Sequence, residues 1–261
     1  MHFFFEFLIF ISTTVAVVKT MSKLYFKHGT VASAKTLNLL SVAHSYKLQG
    51  KNVIVMKPTL DTRYGLKEVT SRAGLSLTAD FLIGPSTNIL KLVDPKNSVP
   101  IERNKTIHCI LVDEAQFLEA EQIDQLRLVT VKWNVPVICY GLRTDFRANL
   151  FAGSKRLMEL ADCIEEVRAT CHFCNKKAIF NLKHVNGLAD TTGPVVQLGA
   201  EERYFPTCFQ CYLTNLNQAG PEQVPVRSWV GAVPAAVDSG DAIRLFRSDD
   251  SSSDSDSSRS S

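Results

Sequence analysis

The sequence predicts an α/β fold: a parallel β-sheet flanked by helices, followed in the chain by a small metal-binding subdomain. Three observations carry this. Continuous apolar runs at 52–57, 107–112 and 135–140 have the look of strands buried on both faces. Stretches with helical spacing, at 34–48 and 119–132, alternate with them. Two Cys-x-x-Cys pairs, Cys171/Cys174 and Cys208/Cys211, then sit in a segment of different character.

Taken in order, residues 23–28 read as the first strand, ending at Gly29. The helix over 34–48 has Leu37, Leu40, His44 and Leu48 on one stripe, with Leu39, Val42 and Tyr46 beside it. Gly50 stands where a helix end favours glycine. The run Asn52-Val53-Ile54-Val55-Met56-Lys57 is the second strand, and the polar, turn-rich residues 58–76 read as a mobile loop. A third strand over 107–112, a helix over 119–132 and a fourth strand over 135–140 follow, the last with Pro136 near its start, where a strand tolerates it. Four regions result: an apolar N-terminal extension (1–21), an α/β domain (22–168), a small subdomain with the two cysteine pairs (169–214) and a disordered Ser/Asp-rich tail (215–261).

The chain has 261 residues, 45% of them hydrophobic, enough for a real core. Its formal charge of +3 divides into −3 over residues 249–261 and +6 over the rest. That excess suits anionic small molecules and is too weak and scattered to argue for nucleic acid. Of the seven cysteines, Cys109, Cys139 and Cys163 lie in apolar runs and read as ordinary buried thiols. The set argues for a reducing compartment, here the cytoplasm, and for a metal rather than disulfides. Residues 3–18 are strongly apolar but shorter than the roughly 20 needed to span a bilayer, and they lack the charged start and cleavage pattern of a secretory signal. An extension outside the fold, with Met21 as a second candidate start, is the favoured reading; a targeting segment or anchor and a packed element stay open.

Between the first strand and first helix lies Gly29-Thr30-Val31-Ala32-Ser33-Ala34-Lys35-Thr36. It matches a phosphate-binding loop except that Ala34 replaces the second glycine. In such a loop backbone N–H groups surround the phosphates, the lysine reaches the terminal phosphates and the hydroxyl meets Mg²⁺. A Cβ at position 34 is a penalty if the backbone there needs a positive φ. The alternative is a plain strand-to-helix turn with a solvated lysine. Asp113 and Glu114 end a buried strand, at the edge where open α/β sheets bind ligands. Asp113 can support Mg²⁺ as the partner of Thr36, and Glu114 can act as a general base; a charge complement to a following helix is the competing reading. Arg63, after Asp61-Thr62, is a candidate to stabilise charge on a transferring phosphoryl group, or else a surface ion pair. The cysteine pairs, separated by 33 residues, fit a closed Cys₄ zinc site of structural type.

The order of motifs resembles that of the zinc-containing, type II thymidine kinases over residues 22–213. Its carriers are the phosphate loop, Asp61-Thr62-Arg63, Asp113-Glu114-Ala115-Gln116-Phe117, Tyr140-Gly141-Leu142-Arg143-Thr144-Asp145-Phe146 with Phe151, and the two cysteine knuckles with Tyr204 before the second. The resemblance implies a P-loop, RecA-like sheet with a zinc-bound lasso. ATP then donates its γ-phosphoryl group to the 5′-hydroxyl of thymidine, with deoxyuridine also accepted. It implies Glu114 as catalytic base and Arg63 as the bridge between donor and acceptor. Gly29, Thr30, Ser33, Ala34, Lys35, Thr36, Asp61, Asp113 and Gln116 would serve ATP and Mg²⁺. Val31, Leu142, Phe146, Phe151, Val195, Gln197 and Tyr204 would line the nucleoside pocket. Family members are usually homotetramers. The family's loop carries Gly at position 34 and usually Met at 31, where this chain has Ala34 and Val31. Two other readings stand beside this one: a helicase-like NTPase, because Asp-Glu-Ala after a strand occurs there too, and a non-enzymatic nucleotide-binding protein with a disabled loop.

Overall fold

A computed structural model describes residues 21–94, 96, 106–195, 202–226 and 229. The expected N-terminal extension up to residue 20, Gln197 and the Ser/Asp tract at the C-terminus lie outside those residues. The chain runs β1 (Leu24–His28), α1 (Lys35–Leu48), β2 (Val53–Pro58), β3 (Glu68–Thr70), β4 (Ser76–Thr78), β5 (Phe81–Ile83), α2 (Ile89–Val93), β6 (Cys109–Val112), α3 (Ala120–Lys132), β7 (Val137–Gly141), α4 (Ala152–Leu160) and β8 (Cys163–Glu166). Then come β9 (Phe180–Val185), β10 (Leu188–Ala189), β11 (Glu202–Thr207) and α5 (Phe209–Ala219).

The main sheet has the order β5-β2-β6-β7-β1-β8, and every pairing in it is parallel. The α/β expectation therefore holds. The strands alternate strictly between the two faces, as a two-residue side-chain period requires. In β2, Ile54 and Met56 join Ile110, Val112 and Phe26 on the face covered by α2, α3 and α4, while Val53 and Val55 join Cys109, Leu111 and Tyr140 under α1. Because all strands run the same way, the C-terminal ends of β1, β2, β6 and β7 share one edge, where ligands bind in such sheets.

Helix α1 buries a face next to the expected one. Lys35, Leu39, Leu40 and Ala43 point inward, while His44 and Leu48 are exposed. The cause is local: Lys35 is drawn into the preceding loop, so the residues one and two turns later face the sheet. The stretch 58–76 is not simply a loop, since β3 within it forms a hairpin with β4. Strands that short leave no periodic signal. Edge strand β8 was equally hidden, because Glu165 and Glu166 break its apolar run, and Cys163 in it is half-buried rather than a core thiol. Cys109 and Cys139 are buried as expected.

A second, antiparallel sheet of order β10-β9-β11 packs on α5 around Leu182, Tyr212, Leu213 and Leu216. Helix α5 continues to Ala219, past the expected boundary at 214, because Leu216 still has this small core to fill. No helix among the described residues is long and apolar enough to cross a membrane.

Candidate active site

The loop after β1 makes a tight cradle. A side chain at Gly29 would collide with Ser33 Oγ at 2.4 Å and the Val167 carbonyl at 2.5 Å, so only glycine fits. The buried Lys35 ammonium folds back into the loop and donates to the Thr30 carbonyl at 2.6 Å and to Ser33 Oγ at 3.3 Å. Burial pushes Lys35 down to about 8, against the pull of the Glu114 and Asp113 carboxylates. Thr30 Oγ1 is buried with no hydrogen-bond partner among the described residues. Immediately before the helix, Ala34 has φ 63°, and no side chain among the described residues caps the N-terminus. The opening N–H groups of α1 are thus left for an anion. Ala32 is also left-handed, at φ 58°.

Asp113 leaves β6 beside this loop. The Thr36 hydroxyl lies 3.2 Å from one carboxylate oxygen and 3.4 Å from the other. Burial, then the adjacent Glu114 charge, raises the Asp113 carboxyl well above the usual range. A buried carboxylate with a hydroxyl beside it is a hard-oxygen donor set that suits Mg²⁺.

Glu114, 9% exposed, sits in the left-handed region at φ 49°. Two side chains fix its carboxylate. Arg63 Nη2 donates to Oε1, and Gln116 Nε2 donates to Oε2 at 2.6 Å. The Gln116 side-chain oxygen in turn accepts from the Leu142 amide at 3.0 Å, which ties the end of β7 to the carboxylate. Arg63 also donates through Nε to Asp61 Oδ1 at 2.8 Å. Burial works against the charged form of Asp61, but Arg63 and Lys57 hold its carboxyl below the usual range. Thus the loop, Thr36, Asp61, Arg63, Asp113, Glu114 and Gln116 converge on one sheet edge, with Gln116 bonded to the carboxylate of Glu114 and Asp61 to two cations.

The expected nucleoside residues divide. Phe146 is buried, its ring 6.2 Å from that of Tyr204 and faced by Lys183 Nζ at 5.0 Å. Phe151 instead meets Phe117 edge-on at 5.7 Å. Leu142 presents its carbonyl to the Ser154 hydroxyl at 2.6 Å. Val31 donates its amide to Asn181 Oδ1 at 2.8 Å. Val195 is half-buried at the end of a described stretch.

Two buried residues went unrecognised in the sequence. Asn181 bridges the phosphate loop to the Thr144 carbonyl, 3.0 Å from its Nδ2, and nothing marks such an asparagine in advance. Lys57 does carry a signal, as the one charge closing an apolar strand run.

The four cysteines meet as expected, with all sulfur atoms within 4.8 Å of one another. Cys174 lies 3.7 Å from both Cys208 and Cys211. Tetrahedral zinc with Zn–S bonds of about 2.3 Å requires S–S edges of about 3.8 Å, so the cluster is the right size.

A family model described as thymidine kinase matches residues 22–212. The thymidine kinase of Streptococcus pyogenes serotype M28 (strain MGAS6180) is 40% identical over 192 residues, 74% of this chain and 97% of that protein. Those of Streptococcus gordonii (41% identical, 74% and 96% covered) and Lactococcus lactis subsp. lactis (40%, 74% and 97%) are similar to it in the same way. A solved structure, the Pif1 helicase from Candida albicans, is similar at a TM-score of only 0.35 and 13% identity, over 56% of this chain and 36% of that one, and carries no argument. With the model and the relatives both covering more than two thirds of its length, the chain belongs to the thymidine kinase family.

Proposed function

We propose that this chain transfers the γ-phosphoryl group of ATP to the 5′-hydroxyl of thymidine, and of deoxyuridine, through the residues gathered at the sheet edge. It is an ATP-dependent nucleoside kinase. The observation that carries the assignment of roles is the joint placement of a buried carboxylate, Glu114, against Arg63 and beside the Lys35 loop. Glu114 accepts the proton of the 5′-hydroxyl as that oxygen forms its bond to the γ-phosphorus and the bond to the ADP oxygen breaks. Lys35 and backbone amides of the loop at the start of α1 hold the phosphates. Arg63 carries positive charge to the point where nucleophile and phosphoryl group meet. Thr36 and Asp113 are the residues that would hold Mg²⁺, which when bound neutralises phosphate charge. Gln116 and Asp61 serve the ATP side indirectly, by orienting Glu114 and Arg63.

Phe146, Tyr204, Phe151, Leu142, Val31, Val195 and Gln197 are proposed to surround the nucleoside. Cys171, Cys174, Cys208 and Cys211 are proposed to bind one structural zinc, which calls for reduced thiols and so for the cytoplasm. A homotetramer is proposed from the family resemblance. The test is a nucleoside panel with Mg-ATP, read as 5′-monophosphate formation, on wild type and Glu114→Gln. The variant should still bind thymidine and lose roughly 10²–10⁴-fold in turnover. A near-wild-type rate would remove Glu114 from the role of base.

A further inference from the structure

We propose that Lys57 is a positioning residue for phosphoryl transfer: by holding one oxygen of Asp61 it keeps that carboxylate from capturing Arg63, and so leaves the guanidinium free to serve the reaction. This rests on the role given to Arg63 above.

Lys57 is the last lysine one would expect from its setting. It continues the odd-numbered face of β2 after Val53 and Val55, and its side chain is 1% exposed. A buried ammonium group is costly to desolvate and persists only with good partners. Among the described residues Lys57 has three, all on the segment that carries Arg63. Its Nζ reaches Asp61 Oδ2 at 3.2 Å, the Glu68 carbonyl at 2.8 Å and the Gly65 carbonyl at 3.4 Å. One ammonium thus pins both sides of the loop around residue 63.

The division of the Asp61 carboxylate is the telling detail. Oδ2 goes to Lys57, and Oδ1 accepts from Arg63 Nε at 2.8 Å and from the Arg63 amide at 3.4 Å. The other nitrogen on the same edge of the guanidinium, Nη2, goes to Glu114. An Nε/Nη2 edge is the fork that matches a carboxylate in two parallel hydrogen bonds, a strong and geometrically exacting pairing. Here the fork is split between two carboxylates, because Asp61 has only one oxygen to offer. Remove the ammonium and Asp61 can turn both oxygens to Arg63. The guanidinium then settles in a bidentate pair with Asp61, drawn away from Glu114 and from the phosphoryl group.

The experiment is steady-state kinetics with Mg-ATP and thymidine on the full chain, for wild type, Lys57→Met, Arg63→Ala and the double variant. Lys57→Met should lower kcat by about 10- to 100-fold, the usual scale for a displaced catalytic group, with the KM for thymidine within about twofold of wild type. In the Arg63→Ala background the same change should cost nothing more, since Lys57 acts through Arg63. Equal fold-losses in both backgrounds would make Lys57 a structural residue and overturn the proposal while leaving the role of Arg63 intact. A wild-type rate for Arg63→Ala would instead remove Arg63 from the reaction and take the proposal with it. Should Lys57→Met not fold, Lys57→Gln keeps a donor for the Glu68 carbonyl but no charge; it should show the same loss in kcat, and a normal rate would refute the capture.

Discussion

Residue by residue, the phosphate loop is under visible backbone tension at Ala34. Its φ of 63° lies where a Cβ crowds the following carbonyl. Glycine meets no such penalty, which is why the loop pattern asks for it. Ala34→Gly should therefore raise stability by about 1 kcal/mol in urea titrations. It should also tighten ATP binding measured by calorimetry, since the cradle would be reached without strain. Unchanged or weaker ATP binding would mean that the loop has adapted to alanine. Glu114 is strained in the same sense at φ 49°. Its side chain is held by Arg63 and Gln116, and a left-handed residue fixed by its neighbours is the kind of strain that collects at reactive sites.

At the level of elements, one short turn locks the start of the sheet. The Leu24 amide donates to Asp162 Oδ2 at 2.8 Å, the Asp162 amide returns a bond to the Leu24 carbonyl at 2.9 Å, and Arg127 of α3 donates to the same carboxylate oxygen. Burial opposes the charge, but the Leu24 amide and Arg127 together hold the carboxyl below its usual value. A carboxyl depressed on folding stabilises the fold fully above its unfolded pKa of about 4 and loses that contribution as pH falls through the lower folded value. Asp162→Asn should cost about 1 kcal/mol at pH 7, and the gap to wild type should close as pH drops below about 4. A gap independent of pH would assign the cost to shape rather than charge.

Elements of this kind also show what the sequence can carry. Strands β2, β6 and β7 and helices α1 and α3 were legible because each is long enough to repeat a pattern. Strands β3, β4 and β5, at three residues each, are not. The residues proposed to serve the reaction were legible through spacing: Lys35, Thr36, Asp113, Glu114 and Arg63 stand in motifs that chemistry constrains. What holds them was not. Gln116 lay within a recognised motif, yet its bond to Glu114 depends on where β7 ends, and Lys57 and Asn181 act across folded distance. A spacing records neighbours in sequence, whereas a bond between Val31 and Asn181 exists only once two sheets have met.

For the molecule as a whole, that meeting is the central mechanical fact. The cysteine subdomain reaches the proposed nucleotide site through Asn181 to the Val31 amide and the Thr144 carbonyl, and through the Tyr212 hydroxyl to the Phe146 carbonyl at 2.6 Å. Arg147 adds a third tie, donating to the Thr191 carbonyl at 2.7 Å. The small core around Leu182 and Leu216 is too limited to order the segment between the knuckles without help, and structural zinc supplies on the order of 10 kcal/mol in comparable sites. Losing the metal should therefore be felt at both ligands. Cys208→Ser should lower bound zinc, seen by metal analysis, and increase amide exchange over residues 175–195. Thymidine affinity should fall because Phe146 and Tyr204 lose their support. ATP affinity should fall as well, because Asn181 no longer holds the loop at Val31. A zinc-free protein that binds ATP as tightly as before would show that the two sheets are joined in space without being joined in energy.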